Sequence, residues 1–233
     1  MAACFTTWTV LPHDPIQKLS ENLWCVQGVL PDGKTTRKMT VMKAQDGSLF
    51  FHNPIALKEP EMQELESFGR PAYIVVPGAF HRQDARIWKD RYPAAKVISP
   101  RGAAKKVSAI VPVDLTYAEA PSDDTVKLSH FDGCKEKEGV VEVRSQNGTT
   151  LVINDIVCNM PKMGGLWGYM LGPTGQPSVP RFTRWFVAQS GSALGEHVGR
   201  LSSTPNLKRL ILSHGENIET DAAGALTTAR ATA

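Results

Sequence analysis

The stretch Ala72-Tyr-Ile-Val-Val-Pro-Gly-Ala-Phe-His-Arg-Gln-Asp-Ala85 and its continuation to Ser99 set the architecture. Residues 72–76 form an unbroken apolar run, the mark of a strand buried on both faces. Pro77-Gly-Ala-Phe-His81 is a loop. Ala85, Ile87, Trp88 and Tyr92 then predict a helix over 84–92, stopped by Pro93, and Lys96-Val-Ile-Ser99 is another short buried strand. Strand, loop, helix, strand is a βαβ-like unit, so the chain is expected to pack helices against a sheet.

Upstream, strand signals dominate. Residues 22–30 are apolar and partly β-branched and close at Pro31-Asp-Gly33; 38–43 alternate loosely; Asp46-Gly47 offers a hairpin into Ser48-Leu-Phe-Phe51. Met62, Leu65 and Phe68, bracketed by Pro60 and Gly69, predict a short helix. Downstream, strands are expected at 113–117, 125–131, 140–144 and 149–153, with Asn147-Gly148 as the strongest hairpin signal. The segment 157–180 has five glycines, four prolines, Trp167 and Tyr169, and is expected to be a mobile, functional or packing loop. A helix is predicted over 182–201, a buried strand over 207–212 and a weak helix over 221–230.

Composition bounds the function. The chain has 233 residues, 42% hydrophobic and 21% charged, which excludes disorder and coiled coil and leaves ample material for a core. Its 26 basic against 23 acidic residues give a surplus of only +3, too small and too evenly spread to argue for a nucleic acid or a polybasic membrane partner. The apolar runs are too short to span a bilayer, and no secretory signal is read at the start, so a soluble, cytoplasmic protein is expected. Four scattered cysteines form no C-x-x-C pair. Nucleophile elbow, phosphate loop and dinucleotide fingerprint are all missing from the sequence. What remains is His81, His130, His214 and Asp155, each at or near the end of a predicted strand, where loops converge and where imidazole and carboxylate are natural donors for a first-row metal.

The order of these segments resembles the metallo-β-lactamase fold, in a branch whose metal motif has decayed. Five stretches carry the likeness between about residues 20 and 220: Ser48 to Leu57, the quoted run around His81, Phe131-Asp-Gly-Cys-Lys-Glu-Lys-Glu-Gly139, Leu151-Val-Ile-Asn-Asp155, and Leu210-Ile-Leu-Ser-His-Gly215. The resemblance implies an αββα sandwich of α/β class, two mixed sheets with outer helices, as one domain over 1–233. It also implies where the motif is broken. If His81 is the second histidine of the family's H-x-H-x-D-H run, Ala79, Gln83 and Asp84 replace the others; if it is the last, Val76, Gly78 and Phe80 do. Asn53 replaces an early Asp, and Cys134 stands where a further histidine is usual. Asp155 and His214 match without adjustment.

On this resemblance the expected site is His81, Asp155 and His214, with Cys134 as an added metal donor, around at most one divalent ion, zinc or iron, or none. Trp167, Tyr169, Arg181 and Arg184 are expected to meet a small-molecule substrate. Two functions are carried: a metallo-β-lactamase-like hydrolase, or related lyase or isomerase, and a non-catalytic binding or structural protein that kept the fold. No nucleic-acid and no membrane partner is expected, and a homodimer is allowed for.

Overall fold

The computed structural model describes residues 4–233. In chain order the elements are β1 (Gln17–Ser20), β2 (Leu23–Val29), β3 (Thr36–Lys43), β4 (Ser48–His52), α1 (Glu59–Phe68), β5 (Arg70–Val75), α2 (Ala85–Arg91), β6 (Lys96–Ser99), α3 (Arg101–Val107), β7 (Leu115–Thr116), β8 (Val126–His130), β9 (Gly139–Ser145), β10 (Gly148–Ile153), α4 (Gly165–Leu171), α5 (Arg181–Phe186), α6 (Gly191–Leu201), β11 (Leu207–Leu212) and α7 (Ala222–Arg230). One sheet runs β1 to β7 in sequence order, antiparallel from β1 to β4 and parallel from β4 to β7. The other has the order β11-β10-β9-β8 and is parallel only between β10 and β11.

The apolar runs are continuous because each serves two cores. Successive strand residues point to opposite faces. Leu49 and Phe51 of β4 and Ile74 of β5 join α1, α2 and α3 in one cluster, while Phe50 and Val75 face the second sheet. In the second sheet Val152 and Ile211 face inward, while Leu151, Ile153, Leu210 and Leu212 pack beneath α6 and α7. Three cores separated by two sheets make four layers, helix–sheet–sheet–helix. No described helix is long and apolar enough to cross a membrane.

Two expectations are corrected. The helix predicted over 182–201 is two helices, because Val187 to Ser190 leave the helical path and Ser190 starts a new one by accepting the Ala193 N–H at 3.2 Å. The segment 157–180 is not all loop: it contains α4. The strand ends matter most for function. The C-terminal ends of β4, β5, β10 and β11 and the N-terminal end of antiparallel β3 lie along one edge of the sandwich, as the contacts described next require.

Candidate metal centre at the strand ends

His81, Asp155 and His214 come from three separate loops, after β5, β10 and β11, and meet at this edge. One donor atom from each lies within 4.8 Å of the other two, the one such group of donors among the described residues. His81 Nε2 is 3.0 and 3.2 Å from the two Asp155 carboxylate oxygens, and His214 Nε2 is 3.6 Å from Oδ1. The imidazole centroids are 5.3 Å apart.

The ring orientations are fixed from behind. His81 Nδ1 is 3.2 Å from Asn53 Oδ1, and the Asn53 amide cannot be turned, because its Nδ2 donates to the Lys38 carbonyl at 2.9 Å. Asn53 reaches this position in the left-handed region, φ 52°, which asparagine tolerates better than most residues. His214 Nδ1 is 2.9 Å from the Thr36 carbonyl. A carbonyl accepts only, so both rings carry their proton on Nδ1 and aim Nε2 at the same carboxylate. A bare Nε2 lone pair facing a carboxylate is repulsive; each ring needs a second proton there, or a cation between it and Asp155.

Lys38 secures the turn that carries His214. Its buried ammonium donates to the Leu212 carbonyl at 3.3 Å and to the Gly215 carbonyl. Gly215 has φ 79°, and a Cβ there would collide with the Asn159 carbonyl, so the close pass of this turn against residue 159 needs glycine.

The electrostatics agree with a cationic centre. Burial raises the Asp155 pKa, but the charge and hydrogen bond of His81, with His214 behind, outweigh it and hold the carboxyl below the usual carboxylate range. Burial pushes His214 down, against the pull of Asp155, so a second proton on that ring is disfavoured. Beneath the site Glu138 is pushed well up, by burial first and by Asp155 second. Asn154 Nδ2 donates to Glu138 Oε2 at 3.2 Å, and Asn154 Oδ1 is buried without a partner. His52, at the end of β4, is buried with both ring nitrogens unpartnered; burial, then the His81 charge, take its pKa to about 3, so it stays neutral.

The other candidates lie outside this donor group. The Cys134 thiol is buried, donates to the Phe131 carbonyl at 3.1 Å, and packs with the core under α6, so it does not join the donor group. Burial raises its pKa. Asp84 is held by Arg37 Nη1 at 2.5 Å and by the Ala56 N–H at 3.1 Å, a buried structural ion pair. His130 stacks on Tyr117 and faces the Arg101 N–H. Trp167 and Tyr169 are 71% and 54% exposed, more than the wall of a closed cleft leaves. Arg181 donates to the Tyr169 carbonyl at 3.0 Å and lies over the Tyr169 ring, and Arg184 is half-buried. α5 does reach the site: Thr183 Oγ1 donates to the Asp155 carbonyl at 2.6 Å. Sequence reading missed Glu138, Lys38 and Thr183.

No protein-family model and no curated protein matches the sequence. Solved structures do. DIM-1 metallo-β-lactamase superposes with a TM-score of 0.64 at 15% identity, over 96% of this chain and 99% of that one. The metallo-β-lactamase from Pontibacter korlensis gives 0.62 at 13%, over 95% and 100%, and the one from Erythrobacter litoralis 0.63 at 10%, over 93% and 95%. Likeness at such identities speaks to architecture, and the architecture of this chain is the metallo-β-lactamase fold.

Proposed function

We propose that the protein binds one divalent metal ion through His81 Nε2, Asp155 and His214 Nε2 and hydrolyses a small molecule at that site. The observation that carries this reading is the pair of imidazoles locked with Nδ1 on acceptor oxygens and Nε2 on one shared carboxylate. Neutral imidazole lone pairs and a carboxylate are the donor set of a catalytic zinc or a non-haem iron, and second partners on Nδ1 are what hold such ligands in place. The spacing supports it too. Two donors about 2.0–2.1 Å from a tetrahedral ion stand roughly 3.3–3.4 Å apart, against the 3.0, 3.2 and 3.6 Å found here. When bound, such an ion supplies Lewis acidity and lowers the pKa of its water toward neutrality. Asp155 balances its charge and the two histidines orient it.

The reading is mononuclear, since one three-donor group is found among the described residues and a two-ion hydrolase needs two ligand sets. The test is a panel of chromogenic esters, thioesters, lactams and phosphodiesters offered to zinc-, iron- and manganese-loaded protein. Hydrolysis abolished by a chelator, restored by metal and lost in Asp155→Asn is expected. A fully loaded protein inert on every class, or activity indifferent to chelation, would overturn it.

A further inference from the structure

α4 and α5 are inside out. A helix on a water-soluble protein ordinarily turns its large apolar side chains inward. In α4 the one buried residue is Gly168, whose missing side chain lets the helix sit against the Met163 backbone, while Leu166 and Trp167 are 74% and 71% exposed. In α5 the one buried residue is Thr183, tied to the Asp155 carbonyl, while Trp185 and Phe186 stand more than half exposed. The two faces join, for Tyr169 and Trp185 are in ring contact at 6.0 Å. Five large apolar side chains thus form one protruding surface, an arrangement that calls for a partner.

The segment that carries it has charges of one sign only. Between Asp155 and Glu196 the sequence has no acidic residue, but it has Lys162, Arg181 and Arg184. A further cation reaches in from outside: Lys137 Nζ donates to the Phe186 carbonyl at 3.0 Å. The whole-chain surplus of +3 averages over this segment.

We propose that this aromatic and cationic face docks on an anionic lipid surface. Side chains this exposed stand proud of the protein, so they suit a fluid layer that admits protruding groups rather than a small ligand that needs walls around it. Tryptophan and tyrosine favour the boundary between headgroups and acyl chains, and lysine and arginine beside them pair with lipid phosphates while their stems stay in apolar contact. A second copy of the chain is a poorer occupant, because a two-fold contact would set the cationic rim against itself. Docking of this kind needs no membrane-spanning helix and is independent of the metal reading.

The experiment is flotation of the full chain with phosphatidylcholine vesicles, with and without phosphatidylglycerol, at low and raised salt. The protein is expected to float with the anionic vesicles, to be released by salt, and to show a blue-shifted tryptophan emission when bound. Trp167→Ser and Trp185→Ser should each weaken partitioning by at least about tenfold, because burying an aromatic side chain is worth more than the roughly 1.4 kcal/mol that a factor of ten represents. Lys162→Glu should weaken binding to anionic vesicles alone. Both tryptophans are exposed, so melting temperatures should match the parent and keep a folding defect from imitating lost docking. The proposal is overturned if the parent stays unbound at low salt, if the serine variants float equally well, or if the parent is a stable dimer that Trp167→Ser dissociates, which would make a second copy the occupant.

Discussion

Replacing Asp84 by Asn should be among the most damaging single-atom changes this chain can suffer. The Asp84 side chain is fully buried and that of Arg37 is 4% exposed, with Nη1 to Oδ2 at 2.5 Å. Arg37 Nε has no partner of its own, so the guanidinium depends on Asp84 for its charge balance. Burial pulls the Asp84 pKa up and Arg37 pulls it back down. In Asp84→Asn the amide oxygen can keep the Ala56 N–H, but the NH2 then meets the Arg37 guanidinium donor to donor, so the charge pair and its hydrogen bond are lost together. Breaking a buried ion pair from one side costs about 3–5 kcal/mol, because the survivor is left charged in a dry environment. For a chain of this length that is a fall in melting temperature of roughly 6–20 °C. The assay is thermal or urea unfolding followed by circular dichroism, with Arg37→Met/Asp84→Leu as the second arm. Replacing both charges by apolar groups should recover most of the loss. An Asp84→Asn variant within about 1 kcal/mol of the parent, or a double variant as unstable as the single one, would refute the account of Asp84 as an ion-pair residue that secures the loop bearing His81.

Three further outcomes are expected. Asn53→Ala removes the acceptor that holds His81 Nδ1, and zinc affinity should drop about 10- to 100-fold; a titration showing equal affinity would sink the tautomer argument. His52 is neutral in the folded chain down to about pH 3 but takes a proton in the unfolded chain below about 6.5, so metal-free protein should lose roughly 1 kcal/mol of stability per unit as pH falls through that window. His52→Leu should flatten that slope, and parallel slopes in the two proteins would contradict it. Cys25, Cys134 and Cys158 are buried with burial-raised thiols while Cys4 is partly exposed. Thiol reagents followed by mass spectrometry should mark Cys4 first, and native labelling of Cys134 at the Cys4 rate would show the account of its burial to be wrong.

The legible part of the fold was the part written by alternation and by turn chemistry. Residues 72–76 read as a strand buried on both faces and 207–212 as a buried strand, and both faces of each are covered, while Asn147-Gly148 marked the hairpin before 149–153. Strand ends then pointed to His81, Asp155 and His214, which do converge. Illegible features depended on distant partners. Asp84 looked like a remnant of a ligand motif until Arg37, 47 residues away, appeared beside it. Cys134 occupied a ligand's place in the sequence, but its loop turns the thiol into the core under α6. Glu138 gave no local sign, since a glutamate in the alternating charges Lys135-Glu-Lys-Glu138 reads as solvated surface, and its burial follows from packing against Asn154 beneath Gly78. The aromatics of α4 and α5 were read as ligand or core residues because apolar side chains normally end up covered. Here the helices are anchored through Gly168 and Thr183 instead.

The most direct test of the central claim is a calorimetric and optical titration of the metal-free protein with zinc and cobalt(II). One ion per chain is expected, with a tetrahedral or five-coordinate cobalt spectrum, and with affinity lost in His81→Ala, Asp155→Ala and His214→Ala but retained in Cys134→Ser. No saturable binding, two ions per chain, or full affinity in His214→Ala would contradict it.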